Sequence, residues 1–405
     1  MLSLKIAFRN VFRQKRRTIL TALTMFGGFT LSAISIGWGD GTYSNTIDIF
    51  TRNRLGHIQI HKKGYLDQPS LYKTIDDYET IGEKIIGING VEAWAPRLYS
   101  AGLASVGEKT AGVRILGIDL NLEEKSTRFS RKIVEGRNFS SATSKEAILG
   151  KGLADILKAQ IGDEVVIISQ AADGSIANEL YPIVGLVESG DDMSDRMDFY
   201  LTLPEAQELM ALNGRVHEIA IIVEKLGNER RLAHQINGML NKADLDIAPW
   251  QEFAKQFYQA MLADEEGMWI MLLVIIIIVA VGVLNTVLMT VLERIREYGL
   301  MKAIGTRPLQ IIIIIIYEVN IIALASIIAG TILSLPINYL LSFHGVALPF
   351  TFTYGGVEFS KYYTQVNVRS FLIPAVTILF TASVVSIFPA LKAARIAPTK
   401  AMRVH

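Results

Sequence analysis

Glu293-Arg-Ile-Arg-Glu-Tyr-Gly-Leu-Met-Lys-Ala-Ile-Gly-Thr-Arg-Pro308 is a short charged segment set between two long apolar runs. Residues 269–292 before it carry no charge, and residues 311–335 after it carry one. Each run is long enough to cross a bilayer, because about 20 helical residues at about 1.5 Å each cover the ~30 Å hydrocarbon core. The segment between them is then a small helical loop on one membrane face. Its apolar side chains, interleaved with charge, suit it to docking on another protein. A solitary enzyme is disfavoured; a membrane protein driven by a partner is expected.

Charge fixes the orientation. Residues 1–17 carry Lys5, Arg9, Arg13, Lys15, Arg16 and Arg17 and no acid. The last fifteen residues carry Lys392, Arg395, Lys400 and Arg403, again with no acid. The loop 293–308 has four basic and two acidic groups, whereas residues 40–267 have 24 basic and 35 acidic groups. Basic flanks stay in the cytoplasm, so both termini and the loop are expected inside and the acidic region outside. A third apolar run, 18–38, is too long for a signal-peptide core and lacks a clean cleavage site, so it reads as a retained helix. A fourth, 371–388, precedes the basic C-terminus. Four spans return the chain to its starting side. The absence of cysteine leaves no disulfide framework and fits an oxidising compartment such as a periplasm.

The expected organisation is a cytoplasmic amphipathic helix over 1–17 and a first span over 18–39. A large extracytoplasmic α+β domain follows over 40–267, and a second span over 268–292. The loop helix takes 293–308, a third span 309–341, an outer loop 342–368, a fourth span 369–389 and a cytoplasmic tail 390–405. In the first segment Leu4, Ala7, Phe8, Val11 and Phe12 recur at helical spacing, which places that helix in the membrane interface. Gly27 and Gly28 in the first span, and Ser326 and Gly330 in the third, belong to small-residue stripes that let helices approach closely in lipid. Those stripes serve packing within one chain or across a dimer.

The outer domain is large enough for two lobes. His57–His61, 165–169, 180–187 and 218–223 read as strands; 74–88, 204–212 and 228–241 read as helices. Breaks near 107–117 and 203–214 suggest a β-rich central insertion at about 115–205. Residues 249–267 read as a helix with Trp250, Phe253, Phe257 and Met261 on one stripe. No proline lies between Met261 and Leu292, so this helix is expected to run straight into the second span.

Little points to chemistry within the chain. No GxxxxGK[ST] signature occurs, which excludes P-loop ATP hydrolysis here. No catalytic residue and no cofactor of the chain's own is expected. His57 and His61 share a strand face but have no evident third ligand, so no metal is expected. Ser70…Lys73 matches SxxK without the motifs that accompany it in acyl transfer. The acidic runs Asp191, Asp192, Asp195, Asp198 and Asp264–Glu266 read as solvated faces. Glu318 is the one charge within a span. Such groups are costly and need a partner; Arg307, the loop helix or Asn285 could supply one, and a lone carboxylate does not make a proton relay.

Two segments carry a family resemblance. Glu293-Arg294…Glu297-Tyr298-Gly299-Leu300-Met-Lys302-Ala303-Ile-Gly305 resembles the coupling-helix motif of the FtsX/MacB/LolC-type ABC permeases. Pro389-Ala-Leu-Lys-Ala-Ala394-Arg395-Ile-Ala-Pro398…Arg403 resembles that family's C-terminal tail. Glu318 also stands where such permeases often carry a glutamate. The resemblance implies a dimer, with a second copy or a paralogue, working with two copies of a cytoplasmic ATPase that binds the ATP and Mg. It implies that the loop helix seats on that ATPase and that motion passes to the outer domain. MacB-type chains carry their own N-terminal ATPase; this chain is more similar to the lipoprotein-releasing LolC/LolE permeases. A lipidated protein cargo and a periplasmic carrier or adaptor in a bacterial inner membrane are therefore expected, with lipids as surroundings and no nucleic acid. The alternatives are a MacB-like efflux permease working with an adaptor and outer-membrane duct, an FtsX-like activator of a cell-wall hydrolase, and a secondary transporter. The last is disfavoured by the scarcity of intramembrane charge.

Overall fold

The computed structural model describes residues 2–13, 15–354 and 357–397. It divides into two compact units: one draws on residues 1–43, 261–348 and the chain from 361 onward, the other on Ser44–Ala260 with Pro349–Ser360.

Four helices among the described residues are long and apolar enough to cross a membrane. They are Lys15–Phe50, Lys255–Glu293, Pro308–His344 and Val368–Arg395, called spans 1 to 4. Each contains the run expected from sequence and extends past it. Span 2 passes through Gly267 without a break, since that glycine costs only about 1 kcal/mol relative to alanine and no proline follows. The single helix expected from 249 is, however, interrupted at Ala254, which leaves helical geometry at φ −106° and ψ 42° between Trp250–Phe253 and Lys255–Glu293. Pro336, Pro374 and Pro389 sit inside spans 3 and 4 without ending them, as transmembrane helices tolerate when neighbouring groups satisfy the freed carbonyls.

The small residues divide between two uses. A Cβ on Gly28 would collide with Val279 of span 2, and one on Gly330 with Phe29 of span 1. Ser326 Oγ donates to the Ala22 carbonyl of span 1 at 3.0 Å. These three pack the spans of one chain together. Gly27 has open space where its Cβ would stand, and Ala325 and Ala329 are exposed. The stretch expected as a plain outer loop contains a two-stranded sheet, Val346–Tyr354 with Val357–Tyr362.

The second unit is built on one ten-stranded sheet. Its strands are β1 (Ile58–Lys62), β2 (Val91–Val106), β3 (Lys109–Ile118), β4 (Ile133–Gly136), β5 (Ala147–Gly150), β6 (Glu164–Gln170), β7 (Ile176–Val187), β8 (Asp198–Thr202), β9 (Glu218–Val223) and β10 (Leu245–Pro249). The order is β10-β1-β9-β2-β3-β8-β5-β7-β4, with β6 pairing β2 and β7. The segment 115–205 lies in this same sheet, joined through β3 and β8, which run parallel with Arg114 opposite Asp198. The β2–β3 hairpin was not legible as strands because Pro96, Gly102, Gly107, Gly112 and Gly117 interrupt its alternation. Gly107, at φ +57°, makes its turn, a conformation that glycine adopts without penalty.

Alternation gives the sheet two different faces. Ile58, Ile60, Leu98, Val113, Ile115, Phe199, Leu201, Ile219 and Ile221 point into the main core. The helices Tyr78–Ile86, Lys151–Leu157, Leu203–Leu209 and Glu229–Leu240 cover that face with Ile81, Ile85, Leu153, Leu157, Ala206, Leu232 and Ile236. The intervening positions Gln59, His61, Arg97, Tyr99, Arg114, Tyr200 and Glu218 belong to the other face, which carries polar groups and a smaller core around Leu116, Ile118, Phe129 and Tyr200.

The acidic run at 191–198 is not the solvated face expected of it. Asp195 and Asp198 are buried. Asp198 accepts from Arg114 Nε at 2.8 Å, and Asp191 pairs with Arg54. The pairing across β3 and β8 draws these carboxylates inward. At the other run, Glu265 pairs with Arg369 at 3.0 Å. Lys73 Nζ donates to the Gly64 and Gln68 carbonyls at 2.7 and 3.0 Å, so it closes a loop rather than serving Ser70.

The histidines are equally structural. His57 Nδ1 accepts from the Val223 amide at 2.9 Å. His217 Nδ1 accepts from the Tyr99 amide at 3.1 Å while its Nε2 donates to the Leu71 carbonyl at 3.1 Å. A proton on either Nδ1 would face an N–H. Burial, reinforced by the charge of Arg52, lowers His57 to about 4. The unfolded chain binds this proton near pH 6.5 and the folded chain only near 4. Stability is therefore full above pH 6.5 and falls as pH drops from 6.5 to 4, by up to about 3 kcal/mol. Denaturant midpoints read at pH 7.5 and 5 should show this loss, and His57→Asn, which keeps an acceptor for Val223, should reduce the slope, the remainder coming from His61 and His217, which burial also lowers. An unchanged slope in the variant rejects the assignment.

Candidate functional site at the loop helix

The loop helix spans Ile295–Ala303, shorter than the 293–308 expected from sequence. Arg294 stands at its N-terminal cap with φ −97° and ψ 11°, outside helical geometry, and so separates it from span 2. Its buried guanidinium holds the site together. Arg294 Nε donates to Glu297 Oε2 at 3.0 Å, the spacing of i and i+3 bringing them to one side. Arg294 Nη1 lies 3.2 and 3.1 Å from the two carboxylate oxygens of Glu318 in span 3. The guanidinium also rests 5.4 Å from the centre of the Tyr298 ring, which is buried among Val291, Ile311, Ile315 and Ala390.

The N-terminal helix Leu2–Arg13 completes the network. Asn10 lies beside Glu318, Arg13 pairs with the second oxygen of Glu297 at 3.0 Å, and Arg17, at the start of span 1, pairs with Glu293. Ala7 and Val11 of this helix are buried, whereas Leu4, Phe8 and Phe12 are exposed. At the far end of the loop helix, Lys302 Nζ donates to the Ala394 and Ile396 carbonyls at 2.8 Å each. A cation at a helix C-terminus satisfies carbonyls that have no partner within the helix. The helix then closes on Gly305 at φ +101°, with the Thr306 amide bonded to the Met301 carbonyl, a left-handed stop that suits glycine.

The residues expected to couple to a partner therefore fall into two sets. Arg294, Tyr298 and Gly299 are buried, and Glu297 and Lys302 are engaged within the chain. Leu300, Ala303 and Gly305 are exposed, and Glu293 is exposed beside Arg17. Arg296 and Ile304 join the exposed set. Leu300 is 54% and Ile304 79% exposed, large apolar groups beside charge, a composition typical of a docking surface.

Glu318 finds its partner in the loop helix, one of the three sources considered. Arg307 instead gives its backbone amide to Gln310 Oε1 at 2.9 Å, and Asn285 is exposed on span 2. Sequence reading missed Asn10, Arg13 and Arg17 as contributors. The signal was present in Arg13 and Arg17, four residues apart in a basic stretch read only for topology. In the C-terminal motif Pro389 and Ala394 are buried and Arg395 is exposed; Pro398 lies outside the described residues. The two sequence motifs thus meet through Lys302.

Residues 18–238 match the family profile of the MacB-like periplasmic core domain, and residues 269–398 that of the FtsX-like permease C-terminal region. The lipoprotein-releasing system transmembrane protein LolC of Neisseria meningitidis is 22% identical over 368 residues, covering 87% of this chain and 86% of that protein. The macrolide export ATP-binding/permease protein MacB of Campylobacter jejuni is 22% identical over 415 residues, covering 98% of this chain and 60% of that protein. The crystal structure of the periplasmic region of MacB from Actinobacillus actinomycetemcomitans aligns with a TM-score of 0.37 at 14% identity, over 52% of this chain and 98% of that one.

Proposed function

Since the chain belongs to the FtsX-like permeases with a MacB-like periplasmic core domain, and so is an ABC transporter permease of the LolC/MacB/FtsX kind, we propose that it transmits force from a separate cytoplasmic ATPase to its outer domain. The observation that carries this reading is the two-sidedness of the loop helix. One side is fixed by Arg294, Tyr298 and Lys302 to spans 2, 3 and 4. The other presents Arg296, Leu300 and Ile304 outward. A helix built this way transfers a push on its outer side directly to the spans. In this reading the ATPase dimer binds the ATP and Mg, a second permease copy or paralogue completes the assembly, and both termini lie in the cytoplasm of a bacterial inner membrane. The cargo is a lipidated protein drawn from the outer leaflet and passed to a periplasmic carrier, a reading supported by the similarity to LolC over most of both chains. Export of a small molecule with an adaptor is the second reading, favoured by the alignment to MacB over 98% of this chain.

The test is Leu300→Glu with Ile304→Glu, on the outer side and away from every ion pair. The double variant should insert and fold normally. It should lower permease-stimulated hydrolysis by the cognate ATPase at least about tenfold, the loss of two anchor contacts at an interface. Undiminished stimulation rejects the docking role. Release of a radiolabelled acylated protein from vesicles, set against efflux of a small drug, separates the two cargoes.

A further inference from the structure

The polar face of the sheet in the second unit borders a cavity of about 1040 Å³, at the upper end of the range for small-molecule sites. Its wall is chemically divided. Phe50, Leu55, Leu66, Phe129, Met197 and Phe253 supply apolar surface. The charged lining comprises four basic groups, Arg54, Arg97, Arg114 and Lys132, against two acidic ones, Glu123 and Glu218. Asp191 and Asp198, outside this lining, balance Arg54 and Arg114, so the cavity presents paired guanidiniums in a region whose overall composition is acidic.

Arg97 is fully engaged between Glu123 and Glu218. Arg54 and Arg114 differ. Each is about a third exposed, at 32%. Arg54 is tethered by Asp191 and Ser194. Arg114 is tethered through Nε to Asp198 at 2.8 Å and through Nη2 to the same Ser194 at 3.2 Å. A guanidinium has five N–H donors, so these tethers leave donors over. Burial, reinforced by repulsion from the neighbouring Arg114, lowers Arg54 below the ordinary arginine range. Tyr99 and Tyr200 stand beside them. Two convergent guanidiniums with spare donors suit a bidentate anion.

We propose that this cavity binds a small amphipathic anion, with a carboxylate or phosphate-monoester head between Arg54 and Arg114 and an apolar body against the aromatic wall. The site would be a ligand pocket of the outer domain, independent of the cargo and of the reading given to the loop helix.

The experiment uses the full-length chain in lipid nanodiscs and equilibrium dialysis against equal amounts of empty discs. The probes are 4-phenylbutyrate, phenyl phosphate and the uncharged 4-phenylbutan-1-ol. One saturable equivalent of at least one anion is expected, with the alcohol bound at least about tenfold more weakly, as loss of charge-assisted hydrogen bonds requires; which anion binds more tightly identifies the head group. Gly112→Phe is the blocking variant. Gly112 lines the cavity, has open space where a Cβ would stand, and touches none of the ion pairs. It should abolish saturable uptake. Arg54→Gln should weaken it about tenfold. No saturable uptake of either anion, equal binding of the alcohol, or undiminished binding by Gly112→Phe would each overturn the proposal.

Discussion

Arg97→Ala is expected to cost the second unit about 3–5 kcal/mol, enough to bring a domain of ordinary stability, about 5–15 kcal/mol, close to unfolding. Arg97 is buried in the middle of β2. Its Nε and Nη2 donate to Glu123 at 3.1 and 2.8 Å, and its Nη1 to Glu218 at 3.0 Å and to the Arg54 carbonyl. Burial opposes charge on Glu123, yet the Arg97 guanidinium overrides it and holds that carboxyl below the usual range. Removing the arginine takes away the cation that joins two buried carboxylates and leaves Glu123 with the neighbouring Lys132. Glu123→Gln, by contrast, leaves Arg97 paired with Glu218 and should cost much less. Trp94 and Trp250, both buried in this unit, report its unfolding in denaturant by fluorescence. A midpoint for Arg97→Ala that matches the unaltered chain would show that the triad contributes nothing to stability.

The second large effect is expected at Arg294 and Glu318. On the proposed mechanism Arg294→Ala should abolish coupling between the ATPase and transport, since Arg294 ion-pairs both Glu297 of the loop helix and Glu318 of span 3. The chain should still insert, because the apolar runs are untouched. Glu318→Ala should fail in the same way, and the two losses should not add. A double-mutant cycle on thermal stability in detergent should give a coupling energy above about 1.5 kcal/mol, within the range for contacting charged residues. Exchange of the pair, Arg294→Glu with Glu318→Arg, should recover part of the activity. Strict additivity, or full transport by Arg294→Ala, would remove the pair from the mechanism.

The legible and the illegible parts of this chain differ in a physical way. The four spans and the presence of a loop helix between two of them were readable because a helix in lipid is dictated by local composition and length; the stop of that helix at Gly305, short of the expected 308, was not. Several outer-domain elements were also readable, such as β9, whose run 218–223 has the bounds read from sequence. The β2–β3 hairpin was not, because its glycines and charged residues are explained only by neighbours far along the chain. Gly117 has no room for a Cβ against Ala206, and Arg97 and Arg114 sit in strands because Glu123 and Asp198 meet them there.

The loop-helix site shows the same division. The motif marked the segment we propose docks on the ATPase, but it did not say which of its residues face outward and which face the chain. Arg294 and Tyr298 turn inward because Glu318 and the packed spans receive them, while Leu300 and Ile304 turn outward on the opposite side. Sequence by itself determined the membrane class, the four spans and the placement of the large domain between the first and second of them, all consequences of hydropathy and charge along a short stretch of chain. Tertiary structure alone decided the partner of Glu318, the involvement of Arg13 and Arg17, the burial of Asp198 and the existence of the cavity. Each of these depends on which distant groups share a low-dielectric space, and pair energies in such a space vary too steeply with distance to be read from spacing in the sequence.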